Sequence, residues 1–341
     1  MAEENSKLGF YCDIEDVCRS CVMCNIPFEC CYNEFQRTKR PCNFRKCFFT
    51  EYCPHANLKS FKAKESRTID LSEHPTTGVF KSPATNLPSS FIPEVMPSRR
   101  DRERAMAVIK DVDVPGVAIS MQNFFRGTRG NSLLSEARRL GLHEFLNYGG
   151  EIVLTTDVND SLCDKFVENP DYFVTVVKKL RPDYLTTFDT YTYSNVPACV
   201  ARLKINEVLS SMDKLLNLDC RIIGLALGAT PIQVKDYTQE LITMGCHLVA
   251  HPVYEFRKGK YPDTYSIRWR ARLSRNLKAR VLLLSCSPGV TARMKVYADY
   301  YSCWSWFSSV RSKGDKAYEE RRARLSKAIE LAKKYSQQTF L

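Results

Sequence analysis

Short apolar runs, rich in Val, Ile and Leu, recur along the chain at 116–121, 151–156, 184–188, 221–227, 247–250 and 280–285. Each is the length of a strand, and turn-forming residues bound them, which predicts buried strands. Between most of them the apolar positions fall at helical spacing, as at 197–217, 231–244 and 289–298. That alternation predicts parallel βαβ units. A region of roughly 240 residues suits a closed (β/α)8 TIM-type barrel better than an open, doubly wound sheet. No G-x-G-x-x-G or G-x-x-x-x-G-K-[ST] follows any of the runs, so no nucleotide cofactor is expected.

The flanks read differently. Residues 1–60 form a cysteine-rich segment that holds nine of the chain's 15 cysteines. The stretch 61–110 is read as a linker and basic lead-in: Ser, Thr, Pro and Lys dominate it until Arg99, Arg100, Arg102 and Arg104. The barrel is assigned to 111–341 and ends in a charged amphipathic helix from Lys316 to Tyr335. No apolar stretch reaches the roughly 18 residues of a membrane-spanning helix. Met1-Ala2-Glu3-Glu4-Asn5 lacks the layout of a secretory signal, so the expectation is a cytoplasmic protein with no membrane partner.

In such a compartment clustered cysteines favour metal over disulfides. Cys18, Cys21 and Cys24 stand at x2 spacing, and Cys42, Cys47 and Cys53 form a second set that closes on Cys53-Pro54. Closely gathered thiolates suit zinc or an iron–sulfur cluster. Both remain open from spacing alone.

Charge adds a partner. The formal net charge is +12, from 50 Lys and Arg against 38 Asp and Glu, and excess basic surface attracts phosphate. Arg99, Arg100, Arg102 and Arg104 are the first candidates for a nucleic-acid footprint, with Arg268, Arg270 and Arg272 as a second set.

In an α/β barrel the C-terminal strand ends carry the chemistry. Here they would present Asn123, Asp157, Asp189, Gly224, Gly228 and His251, followed by the polar and aromatic rim Asp299 to Trp306. Two carboxylates facing one pocket can divide acid/base, nucleophilic and binding roles.

The segment Gly141-Leu142-His143-Glu144-Phe145-Leu146-Asn147-Tyr148, with Val153-Leu154-Thr155-Thr156-Asp157 after it, resembles the part of tRNA-guanine transglycosylases that leads to their first catalytic aspartate. Asn123 before Arg126-Gly127, Phe188-Asp189, Gly224-Leu225-Ala226-Leu227-Gly228 and Met244-Gly245 resemble later landmarks of that family, in the same order. The resemblance spans roughly residues 115–310, with gaps. It implies a (β/α)8 barrel that exchanges guanine for a free deazaguanine base in DNA or tRNA. On the matching positions, Asp157 would be general acid/base and Asp189 would bind the polar edge of the base, with Asn123, Gly224 and Gly228 lining the substrate pocket; His251 joins that lining from its place at a strand end alone.

Several positions depart from the family. Its Gly-Gly-Phe-Gln after the first aspartate is Val158-Asn159-Asp160 here, and its nucleophilic aspartate falls on Ser302, before Cys303. A neutral serine needs an adjacent base to act as a nucleophile, so Asp299, the anionic residue nearest to it, is the expected nucleophile. The family's zinc ligands follow the barrel, whereas no cysteine follows Cys303. These changes resemble a divergent branch akin to transglycosylase-like proteins that place deazaguanines in DNA. Two other classes compete with the base-exchange enzyme: a non-catalytic barrel that positions nucleic acid for partner proteins, and a metal-cluster redox protein.

Overall fold

The computed structural model of the chain describes residues 78–337, apart from 126, 191, 193–197, 229–230, 254–256, 259–260, 263, 290–297 and 311. They fall into two compact units, one of 78–189, 214–226 and the chain from 238 onward, the other including 190–213 and 227–237. The strands of the larger unit are β1 (Phe91–Pro93), β2 (Gly116–Ser120), β3 (Glu151–Thr155), β4 (Tyr184–Thr186), β5 (Arg221–Leu225) and β6 (Leu248–Pro252). A two-stranded antiparallel hairpin follows, β7 (Arg257–Lys258) with β8 (Tyr261–Pro262), and then β9 (Arg280–Leu284) and β10 (Tyr300–Cys303).

Apart from the hairpin, these strands make one eight-stranded sheet in the order β1-β10-β9-β6-β5-β4-β3-β2, with every neighbouring pair parallel. The sheet curls until its edges meet. Glu94 bridges to Ala118, and the Val95 amide donates to the Ala118 carbonyl at 2.8 Å, nearly closing β1 onto β2. The result is a barrel of the (β/α)8 type. Near-closure leaves little open edge and buries both faces of most strands, which is why they read as continuous apolar runs.

The helices are α1 (Arg99–Asp111), α2 (Gly127–Leu140), α3 (Leu142–Leu146), α4 (Asp160–Glu168), α5 (Pro170–Leu180), α7 (Pro231–Thr243), α8 (Thr264–Asn276), α9 (Ser305–Ser308) and α10 (Gly314–Gln337), with α6 (Ala198–Ser211) in the smaller unit. Ala317, Leu325 and Ala332 form the buried stripe of α10. Most of the helix expected at 289–298 lies outside the described residues.

The approach to Asp157 is built by local chemistry. Gly141 opens α3 at φ +80°, and Asn147 ends it in the left-handed region at φ +49°, a conformation that Asn tolerates. A Cβ on Gly150 would sit 2.5 Å from the Tyr148 hydroxyl and 2.7 Å from the Pro115 carbonyl. Only glycine lets the chain pass there into β3.

The barrel begins earlier than its pattern suggests. β1 and α1 lie within the stretch read as linker and basic lead-in, and β10 within the stretch read as a polar rim. A strand of three residues embedded among prolines carries too little periodicity to register.

Candidate active site

Two carboxylates occupy the C-terminal mouth of the barrel. Asp157 lies two residues beyond β3, and Glu94 immediately follows β1. Asp157 Oδ1 accepts from Thr155 Oγ1 at 2.7 Å, and its backbone carbonyl accepts from Ser120 Oγ at 3.4 Å. Glu94 Oε1 accepts from the Ser285 amide and from Ser302 Oγ, each at 3.3 Å. Its backbone is fixed as well: the amide donates to the Cys303 carbonyl at 3.1 Å, and Trp306 Nε1 donates to the Glu94 carbonyl at 3.2 Å. Ser285 has φ +57°, unusual for a residue with a Cβ. This conformation sits where the Ser285 amide reaches the carboxylate, a placement common for backbone strain at functional sites.

Burial raises both acids. Asp157 is pushed up to about 6, chiefly by desolvation and against its hydrogen bond from Thr155. Glu94 is pushed up to about 7, first by desolvation and then by the charge on Asp157. The charge on Asp157 is the second cause that holds the proton on Glu94. Two acids raised toward neutrality at one barrel mouth can share a single proton, one anionic and one neutral. That is the arrangement a two-carboxylate mechanism needs.

A frame of threonines holds the neighbouring strand ends. Thr156 Oγ1 lies 2.7 Å from Thr186 Oγ1 and donates to the Thr187 carbonyl, while Thr187 Oγ1 accepts from the Leu225 amide at 2.8 Å. Asp189, three residues beyond β4, belongs to this layer: its Oδ2 accepts from the Val158 amide at 3.1 Å, tying the loop that carries Asp157 to the next strand. Asn159 Oδ1 caps α4 by accepting from the Leu162 amide at 3.2 Å. In Val158-Asn159-Asp160 the chain turns directly into this capped helix.

The other expected residues fall in several places. Ser302 sits in the mouth, bonded to Glu94, but Asp299 does not. Asp299 Oδ2 accepts from the Val281 amide at 2.8 Å, at the N-terminal ends of β9 and β10. Three residues of strand, about 10 Å, separate it from Ser302, so the expected nucleophile stands at the far end of the barrel from Asp157. His251 turns outward onto α8: its Nε2 is 2.9 Å from Ser274 Oγ, and burial with the nearby Arg270 charge pushes it down to about 3. It is neutral at any working pH and packs outside the mouth. Gly224 lets α7 approach β5, because a Cβ there would meet Leu241 Cδ1 at 2.8 Å. Gly228 makes a tight turn at φ +139°, its amide donating to Thr192 Oγ1 at 2.9 Å. Asn123 lies in the 3-10 turn that follows β2, at the same end as Asp157.

Among the arginines, Arg102 is structural. It pairs with Glu136 at 3.4 Å and stacks over the Phe145 ring at 3.9 Å. Arg99 pairs with Glu103 at 3.0 Å, whereas Arg100 and Arg104 face a surface cleft. Arg270 is buried beside His251, and Arg268 and Arg272 are exposed on α8. Cys18, Cys21, Cys24, Cys42, Cys47 and Cys53 lie outside the described residues. Among the described residues no three or more His, Cys, Asp or Glu side chains gather as metal ligands would. Burial pushes the Cys303 thiol up to about 11, so it is not a thiolate nucleophile at neutral pH.

Glu94 is the residue that sequence reasoning missed. Its signal was present but faint: Phe91-Ile92-Pro93 is a short apolar run that ends in a carboxylate, as the run before Asp157 does. Comparison with models of known protein families and with curated proteins finds no match for the chain.

Proposed function

We propose that the chain is a glycosyltransferase of the pentosyl type, replacing guanine by a free deazaguanine in nucleic acid at the barrel mouth. The observation that carries this reading is the placement of Glu94, half-buried, and Asp157, buried, at the C-terminal ends of β1 and β3, both raised above the ordinary carboxylate range by desolvation. The resemblance around Asp157 names the chemistry, and the net charge of +12 suits a polyanionic substrate.

The division of labour makes Asp157 the anion and Glu94 the acid, because the charge on Asp157 raises Glu94. Asp157 attacks the anomeric carbon as the bond to guanine breaks. Glu94 gives its proton to the departing base. The incoming base then displaces the Asp157 carboxylate and returns a proton to Glu94. This reverses the acid/base role that the resemblance implies for Asp157. It also accounts for Ser302: the anionic oxygen missing there is supplied elsewhere in the mouth, and Ser302 orients Glu94 instead. Asp189 supports the base-binding wall. The target nucleotide must leave its stack to reach the mouth, at a cost of a few kcal/mol.

The test is incubation with DNA or tRNA and radiolabelled guanine or a deazaguanine. Incorporation is expected in the unmodified protein and not in Asp157→Asn. A covalent adduct trapped on denaturing gels should map to the peptide containing Asp157. An absence of incorporation with either polymer, reduced or oxidised, with or without zinc or iron, would overturn the reading.

A further inference from the structure

Beside the barrel mouth, α1 and α10 enclose a cleft of about 520 Å³. The lining comes from the first turns of α1, just after Glu94, and from the first turns of α10, which β10 and α9 precede in the chain. Among the described residues, four cations line it, Arg100, Arg104, Lys313 and Arg321, against one carboxylate, Glu103. Glu103 is already bound to Arg99 at 3.0 Å, and Asp101 and Glu320 act on Arg321 from outside the lining, so the lining keeps an excess of positive charge. Gly314 brings the N-terminus of the 24-residue α10 to the same wall, adding the partial positive charge of a helix start.

One guanidinium in the cleft is incompletely satisfied. Arg321 stacks over the Phe307 ring at 4.1 Å, and its Nε is buried with no hydrogen-bond partner among the described residues. Its guanidinium is pushed below its ordinary value, first by desolvation and then by the charge on Arg104, with Asp101 and Glu320 opposing in part. Two guanidinium groups facing one space repel each other unless an anion lies between them. A phosphate satisfies both: its oxygens accept from planar N–H forks and its charge offsets the repulsion. A phosphate site beside the last strand, using the start of a helix, is also a frequent use of the barrel architecture.

We infer that the α1–α10 cleft binds a backbone phosphodiester of the nucleic-acid strand whose base enters the mouth at Glu94 and Asp157. This rests on the base-exchange reading for its substrate, and it adds where the strand is gripped. Arg104 and Arg321 hold the phosphate directly, while Arg100 and Lys313, both exposed, extend the attraction along the strand.

The experiment uses the full chain, a fluorescein-labelled single-stranded oligonucleotide and a salt titration read by anisotropy, alongside the exchange assay. Removing two phosphate-contacting charges in Arg104→Gln/Arg321→Gln should lower the slope of log affinity against log salt by about 1.4. In the exchange assay it should raise KM for the oligonucleotide with kcat and KM for free guanine unchanged. Because Arg321 packs on Phe307, Arg100→Gln/Lys313→Gln serves as the second variant, and a thermal melt checks both. Wild-type slope and KM in both folded variants, with exchange intact, would overturn the cleft and leave the function standing. Cleft-dependent binding without any exchange by the unmodified protein would support the cleft and overturn the function. Failure of the unmodified protein to bind the oligonucleotide at about 50 mM salt, where phosphate contacts are strongest, would overturn the cleft.

Discussion

Glu94→Gln should make the protein more stable at alkaline pH while removing its activity. The native state holds Glu94 at about 7 against an ordinary 4.5. Between those values the folded chain keeps a proton that the unfolded chain has released, so stability falls as pH rises through the window and levels off above it. A difference of one pKa unit is about 1.4 kcal/mol, so the full penalty above the window is on the order of 3 kcal/mol. Glutamine has nothing to ionise. It keeps a carbonyl oxygen to accept from the Ser285 amide and Ser302 Oγ, the two groups that now bond to Glu94. The variant should therefore match the wild type closely at about pH 5 and exceed it by up to about 3 kcal/mol at about pH 8. With a urea m-value near 3 kcal/mol/M, the unfolding midpoint at the higher pH would rise by about 1 M. Base exchange, measured in parallel, should be lost, the pattern of a site that sacrifices stability for function. An equal midpoint shift at both pH values, or a lower midpoint at the higher one, would refute the claim that a buried carboxylate pair is held in the mouth.

The rate of exchange should follow a bell in pH, rising as Asp157 ionises near about 6 and falling as Glu94 loses its proton near about 7; a profile with one limb would mean that only one of the acids takes part. Asp189→Ala leaves the Val158 amide without its acceptor and should weaken binding of free base by about 1–3 kcal/mol, read as a higher KM for guanine; an unchanged KM would remove Asp189 from the base-binding wall. Ser274→Ala takes the partner from His251 Nε2 and should cost about 1–3 kcal/mol of stability with exchange unaffected, so a lost or pH-shifted activity would show that His251 reaches the site after all. Elemental analysis of the purified protein should find zinc or iron that a Cys18→Ser/Cys21→Ser/Cys24→Ser variant lacks, and equal metal content in both would exclude these thiols as ligands.

The sequence by itself settled the class of the fold, because a barrel strand is buried on both faces and writes that burial as an apolar run. Six of the eight barrel strands were legible in this way, within two residues at nearly every end, as were the long helix α10 and the strand end that carries Asp157. The need for glycine at 150 was not legible, since it comes in part from the Pro115 carbonyl, 35 residues earlier in the chain. Tertiary structure alone decided which carboxylates meet. Glu94 lies 63 residues before Asp157 in the chain and becomes its neighbour only because the sheet curls until β1 meets β2. Asp299 looked like the available anion near Ser302, but the direction of β10 sends the two residues toward opposite ends of the barrel. His251 and Gly224 sit on strands as expected, yet the alternation of side chains turns both toward helices rather than into the mouth. Periodicity tells which residues are buried. Which buried polar groups face one another depends on closure and register, and those belong to the whole sheet.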